Sequence, residues 1–205
     1  MKENLVEASD WTRDVEAKLK RKNEILFSRK SECLQELLAL IREQKHRTLV
    51  LWAFACVEVP LQRLKERCPN EERPARSVRL CRQWAAGEVK MPTAKRALLE
   101  AHAAAKEVEG AENAALCHAV GQACAVVHVE THAIGLPFYE LTAIVRECRG
   151  KDYRAAVEKR IEEYIECLKD CAARIESVGF SWAEFLLDDS RPNKEKELFM
   201  KERTV

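Results

Sequence analysis

Apolar residues recur at three- and four-residue steps along most of this chain, the period of helices with one buried face. Trp11, Val15, Leu19 and Ile25 mark a first stripe, opened by Ser9 or Asp10 as a cap. Ser31 opens a second, in which Leu34, Leu37, Leu38 and Ile41 recur. From His46 to Arg67 the pattern changes: Leu49, Val50, Leu51, Trp52, Phe54 and Ala55 are apolar nearly all round, which predicts a central helix. Pro60 lacks a backbone donor, so a kink or short break is predicted near Val57 to Val59. After the loop signal Cys68 to Pro74, a helix carrying Val78, Leu80, Cys81 and Trp84 stops near Gly87. Two alanine-rich helices follow, one over 93–108 and one over 111–134, the second ending at Gly135-Leu136-Pro137. Helices over 138–148 and through Val157, Ile161, Tyr164, Ile165, Leu168 and Ala172 come next. Beyond Gly179, residues 180–187 predict a short helix that lays aromatic rings on the body, and 189–205 read as a polar, disorder-prone tail.

Glycine and proline are sparse, and no strand alternation emerges, so the fold class is all-α. The expected architecture is a multi-helix bundle of antiparallel helices, with solenoid-like stacking as its variant and no significant sheet. The pattern divides the chain into N-terminal helices packing on the core (1–44), an alanine- and histidine-rich helical domain (45–149), C-terminal helices of the same globular unit (150–188) and the tail.

Composition narrows the function classes. Lys and Arg total 35 against 34 for Asp and Glu, so global charge offers no attraction to nucleic acid or anionic lipid. The nine cysteines are odd in number and include no Cys-x-x-Cys pair, which argues against a zinc ribbon or a disulfide framework. No early apolar run leads to a cleavage site, and free thiols fit a reducing compartment, so the expected location is cytoplasmic. Leu49 to Val57 is far shorter than the roughly 20 residues of a membrane span.

The candidate chemistry lies in the histidines, four of which, His102, His118, His128 and His132, stand between positions 102 and 132 among alanines. On one continuous helix His118, Gly121, Ala125, His128 and His132 share a side, and His128 and His132 are four apart, as two metal ligands on a helix would be. Glu130 faces away from that pair, so the zincin motif is absent. A metal would need further ligands from His102, Glu58 or His118 across a helix interface. The competing reading makes His102, His118, His128 and His132 a structural polar core, each ring donating from one nitrogen and accepting at the other to fix the register of close-packed helices. Cys117 beside His118, and Cys124 four residues before His128, do not make a nucleophile and base. Neighbouring residues on a helix point apart, and no strained turn presents a thiol. No catalytic residue is assigned, and with no phosphate-cradling glycine loop or dinucleotide fingerprint no cofactor is assigned either.

Three segments in order carry a resemblance: His46-Arg47 to Trp52-Ala53 with Cys56 and Glu58; Arg73-Pro74 to Trp84-Ala85-Ala86-Gly87-Glu88; and Ala101-His102-Ala103-Ala104-Ala105 to His128-Val129-Glu130-Thr131-His132-Ala133-Ile134-Gly135. Together, over about 45–145, they resemble a family of small helical immunity proteins of bacterial polymorphic toxin systems. In that family a second histidine commonly follows the glutamate of the first segment, and a Gly-His pair commonly precedes the last. This chain has Val59 and Gly121-Gln122 there, a departure that lowers the case for an enzyme. The resemblance implies a cytoplasmic, non-enzymatic module that binds a cognate protein toxin and blocks it by steric occlusion. Two alternatives stand beside it: a metal-dependent helical enzyme using His102, His128, His132 and Glu58, and a structural or regulatory homo-oligomer.

Overall fold

The computed structural model describes residues 10–202, and within them regular structure is entirely helical, with no strand. The order is α1 (Thr12–Lys20), a 3₁₀ turn at Glu32–Leu34, α2 (Gln35–Arg42), α3 (His46–Cys56), α4 (Glu58–Arg67), α5 (Arg73–Ala85) and α6 (Met91–Ala104). Then come α7 (Ala111–Ala125), a second 3₁₀ turn at Glu130–His132, α8 (Gly135–Glu147), α9 (Arg154–Arg174), α10 (Glu184–Leu187) and α11 (Lys194–Glu202). Ser9, one of the two proposed caps of α1, lies outside the described residues.

The chain closes around α7. This helix packs on α3, α4, α5, α6 and α8, so the arrangement is a bundle with a central helix rather than a row of neighbours. Alanine makes that possible: Ala115, Ala119, Ala123 and Ala125 are buried on α7 and Ala94, Ala97, Ala101 and Ala104 on α6, leaving little side chain between the helix axes. The stripe Leu34, Leu37, Leu38 and Ile41 is fully buried, and α3 lies against α9 with the Trp52 and Tyr164 rings 5.5 Å apart. The break near Pro60 falls at Val57, between α3 and α4, and places Pro60 in the first turn of α4, where a missing N–H costs nothing.

The structure revises several expected elements, the first being α1, which ends at Lys20 and leaves Ile25 outside it. The second alanine-rich helix does not run over 111–134. Val126, Val127 and His128 close tighter three-residue turns onto Ala123, Cys124 and Ala125, and Val129 is extended at φ −157°, ψ 141°. The break coincides with the β-branched run Val126, Val127, Val129 and Thr131, whose side chains lose rotamer freedom in a helix, and Val126 and Val127 are both wholly buried across the tightened turn. Gly135-Leu136-Pro137, expected as a stop, is the first turn of α8. The polar tail is also ordered over most of its length. Asn193 Nδ2 donates to the carbonyls of Ile41 (3.0 Å) and Gln44 (2.9 Å) at the end of α2, while its Oδ1 accepts from the backbone of Glu195 and Lys196 at the start of α11. One side chain thus caps two helix ends. Glu195 is buried against Arg29 in a two-pronged ion pair at 2.9 Å, and the Arg42 guanidinium lies 3.7 Å over the Phe199 ring.

The aromatic segment is helical only over α10. Ala183 donates its N–H to Ala85 O at 2.7 Å, strapping the segment across the end of α5, and Phe185 stacks on Trp84 at 5.4 Å.

Candidate functional site

The alanine-rich helices gather three histidines, but not the set that a single helix would align. His102 on α6 and His118 on α7 approach Nδ1 to Nδ1 at 3.0 Å, one donating and one accepting. His118 also lies against the Tyr139 ring, 4.9 Å between centroids. His132, in the turn before α8, donates Nδ1–H to Gln122 Oε1 at 2.9 Å. All five groups are half-buried.

Two glycines are the local reason the side chains fit. A Cβ at position 121 would stand 2.4 Å from Cε1 of His102, so the imidazole occupies the space a side chain would take. At position 135 a Cβ would stand 2.4 Å from Oε1 of Gln122. Both glycines belong to the segments that carry the family resemblance. Gln122 is the residue that holds His132.

The rings are kept neutral. Burial, and then the proximity of His118 and His132, hold the His102 pKa down to about 4, and burial lowers His118 and His132 from the ordinary imidazole range. The fourth expected member behaves differently: His128 is exposed and lies over Trp84 with centroids 6.4 Å apart. The structural-core reading of His128 is therefore corrected, because the turn at 126–129 carries it out of the face it would share with His118 and His132 on an unbroken helix.

The four candidate metal ligands separate in the same way. Glu58 stands at the start of α4 and pairs with Arg82 at 2.6 Å, His128 faces Trp84, His102 faces His118, and His132 faces Gln122. Among the described residues no three His, Cys, Asp or Glu side chains converge as a metal would require. Of the two thiols beside these histidines in sequence, burial pushes Cys117 up to about 12, and Cys124 is wholly enclosed with its sulfur 3.5 Å from the Ser77 hydroxyl. The groove of about 640 Å³ between α4 and α5 is lined by Glu58, Lys65, Arg76 and Arg79 and contains none of the histidines.

Two buried polar groups escaped the sequence reading. His46, at the first position of α3, sets Nε2 at 2.6 Å from Val126 O and Nδ1 at 3.5 Å from Glu130 Oε1. A carbonyl can only accept, so Nε2 carries a proton, and the contact with Glu130 is attractive only when a second proton sits between the two groups. Glu130, read only as facing away from the His128 and His132 pair, is 1% exposed and belongs to the turn and not to α7. The other group joins three helices. Glu140 on α8 accepts from Arg160 Nε (2.8 Å) and Nη2 (3.2 Å) and from the Tyr164 hydroxyl, while Arg160 also donates to Cys56 O at 3.0 Å and Trp52 donates to Tyr164 O at 3.0 Å. A sequence signal existed: Arg160 falls on the same face of α9 as Val157, Ile161 and Tyr164, and a buried arginine demands a carboxylate.

Fold and site together define an all-helical scaffold whose interior polar groups hold helix to helix. The chain belongs to the family described as Imm-5 like putative immunity protein, matched over residues 39–167. That span runs from α2 into α9 and contains the histidine cluster, whereas α1, the aromatic segment and α11 lie outside it. No curated protein and no solved structure matches the chain. No helix among the described residues is long and apolar enough to cross a membrane.

Proposed function

We propose that this chain is a non-enzymatic immunity protein that binds a cognate protein toxin in the cytoplasm and neutralises it by covering part of its surface. The observation that carries this reading is membership of the immunity family over 39–167. The disposition of polar groups supports it: His102, His118, His132, Glu140 and Arg160 each have a partner on another helix or turn. Such interior bonds favour a rigid body over a reaction centre, and rigidity serves a blocker because little freedom is lost when it docks.

Coexpression tests the proposal. Each polymorphic toxin domain encoded in the same genome is produced with and without this chain, and growth, copurification and the mass of the toxin are measured. The expected result is rescue by a stoichiometric complex with a toxin of unchanged mass. Failure of every toxin domain to copurify would overturn the reading, and a covalently altered toxin at substoichiometric amounts of the chain would make it an enzyme.

A further inference from the structure

The α5–α6 hairpin carries a charge that the chain as a whole does not. Between Arg73 and Leu99 stand seven Lys or Arg residues and one acid, Glu88, in a protein of net charge +1. Three of the cations are neutralised: Arg73 by Glu71 and Glu107, Arg76 by Glu100 at 3.0 Å, and Arg82 by Glu58 at 2.6 Å. The other four, Arg79, Lys90, Lys95 and Arg96, are exposed and form no ion pair or side-chain hydrogen bond among the described residues.

These cations border exposed apolar groups. Met91, Lys95 and Leu99 follow at four-residue steps along α6, and Met91 is 42% and Leu99 56% exposed. Arg79 stands on α5 opposite its buried Ser77, Val78 and Cys81, and Arg96 lies one turn before Glu100, which reaches across to Arg76 on α5. The outer face therefore combines apolar anchors with unneutralised charge of one sign, a combination that gives both desolvation energy and steering.

We propose that the outer face of the α5–α6 hairpin is the surface that docks the toxin, and that the toxin presents to it an acidic protein surface whose carboxylates meet Arg79, Lys90, Lys95 and Arg96. The toxin as occupant rests on the function proposed above; the acidic chemistry rests on the charge of the face. A folded protein suits the face better than a nucleic acid does. Exposed Met91 and Leu99 lie among the cations, and a protein surface can cover these apolar groups while meeting the charge, whereas a phosphate backbone meets the charge alone. The hairpin's own aromatic residue, Trp84, is buried under Phe185 and offers no platform for stacking bases.

The experiment has two arms. In the first, isotope-labelled protein is titrated with poly-L-glutamate, and in parallel with duplex DNA and with phosphatidylglycerol vesicles, while amide shifts are followed. Shifts concentrated at Arg79, Lys90, Lys95, Arg96 and Leu99 with polyglutamate are expected. Shifts centred instead on the exposed Lys20, Arg21 and Lys22 of α1 and its following turn, or tighter binding of DNA or vesicles to the hairpin, would overturn the proposal. In the second, the toxin domain that copurifies with the wild-type chain is bound to Arg79→Glu/Arg96→Glu and to the control Lys20→Glu/Arg21→Glu, both checked for helicity. The hairpin variant is expected to bind about 100-fold more weakly and the control within about threefold of wild type. Equal affinities would remove the surface while leaving the immunity function standing. If no toxin copurifies, the function fails, and the first arm still decides whether the hairpin is an acid-binding face.

Discussion

Two polar clusters lie inside this bundle and achieve their burial by opposite means. Glu140, Arg160 and Tyr164 are charged or strongly polar groups deep in the contact of α3, α8 and α9, and each is satisfied by another member or by a backbone carbonyl. His102, His118, Gln122 and His132 are neutral, half-exposed, and fitted into notches opened by Gly121 and Gly135. The first depends on charge matching charge, and burial raises the Tyr164 hydroxyl pKa further, so that it stays a donor to Glu140. The second depends on volume. Stability should respond to charge deletion in one region and to added atoms in the other.

The largest effect should come from breaking the charged cluster on one side only. Arg160→Met leaves the Glu140 carboxylate buried without its ion partner and should cost about 3–5 kcal/mol in urea unfolding. Replacing all three groups together, Glu140→Leu/Arg160→Met/Tyr164→Phe, removes the unpaired charge and should recover stability to within about 2 kcal/mol of wild type. If the single variant costs less than the triple, the cluster is not the matched set described here.

In the histidine cluster the sensitive change is an added methyl group. Gly121→Ala places a carbon 2.4 Å from His102 Cε1 and should destabilise by about 1–3 kcal/mol while pushing His102 off His118. Adding His102→Ala clears that space, so the double variant should lose less than the sum of the two single losses. An additive double would show that Gly121 matters for a reason other than the ring.

Acid should separate the clusters further. His102 titrates near 4 when folded and near 6.5 in the unfolded chain, so between those values the unfolded chain binds more protons. Stability is therefore lost as pH falls from about 6.5 toward about 4, and His118 and His132 act in the same direction. The His102 ring is only half-buried, so solvent screening reduces its share to about 1 kcal/mol. His102→Gln should flatten the unfolding profile over this window, whereas an unchanged slope would place the acid sensitivity elsewhere.

The sequence was informative where a residue's role follows from its own helix. The all-helical class, the break before Pro60 and the buried stripe of α2 are local consequences of period and of a missing donor. The histidine cluster was half legible: His102 and His118 sit on the helices expected for them, but His128 and His132 were assigned to a helix that ends at Ala125. The alanines of 111–125 favour helix, but the β-branched run Val126, Val127, Val129 and Thr131 does not, and the four-residue spacing of His128 and His132 masked that signal. The same misplacement hid the burial of Glu130 and its contact with His46. Asn193 was unreadable for a related reason, since its two caps lie on helices about 150 residues apart in sequence.

The smallest expected effect tests whether the histidines are one set or two. On an unbroken helix His128 would share a face with His118 and His132 and would be as costly to remove as they are. In the structure it is exposed and stacks on Trp84, which Phe185 also covers. His128→Ala should therefore change unfolding free energy by no more than about 0.5 kcal/mol. His132→Ala leaves the Gln122 carbonyl without its donor and should cost about 1 kcal/mol or more. A His128→Ala loss as large as that of His132→Ala would mean that α7 continues through residue 132 and that the notches at Gly121 and Gly135 do not define the cluster.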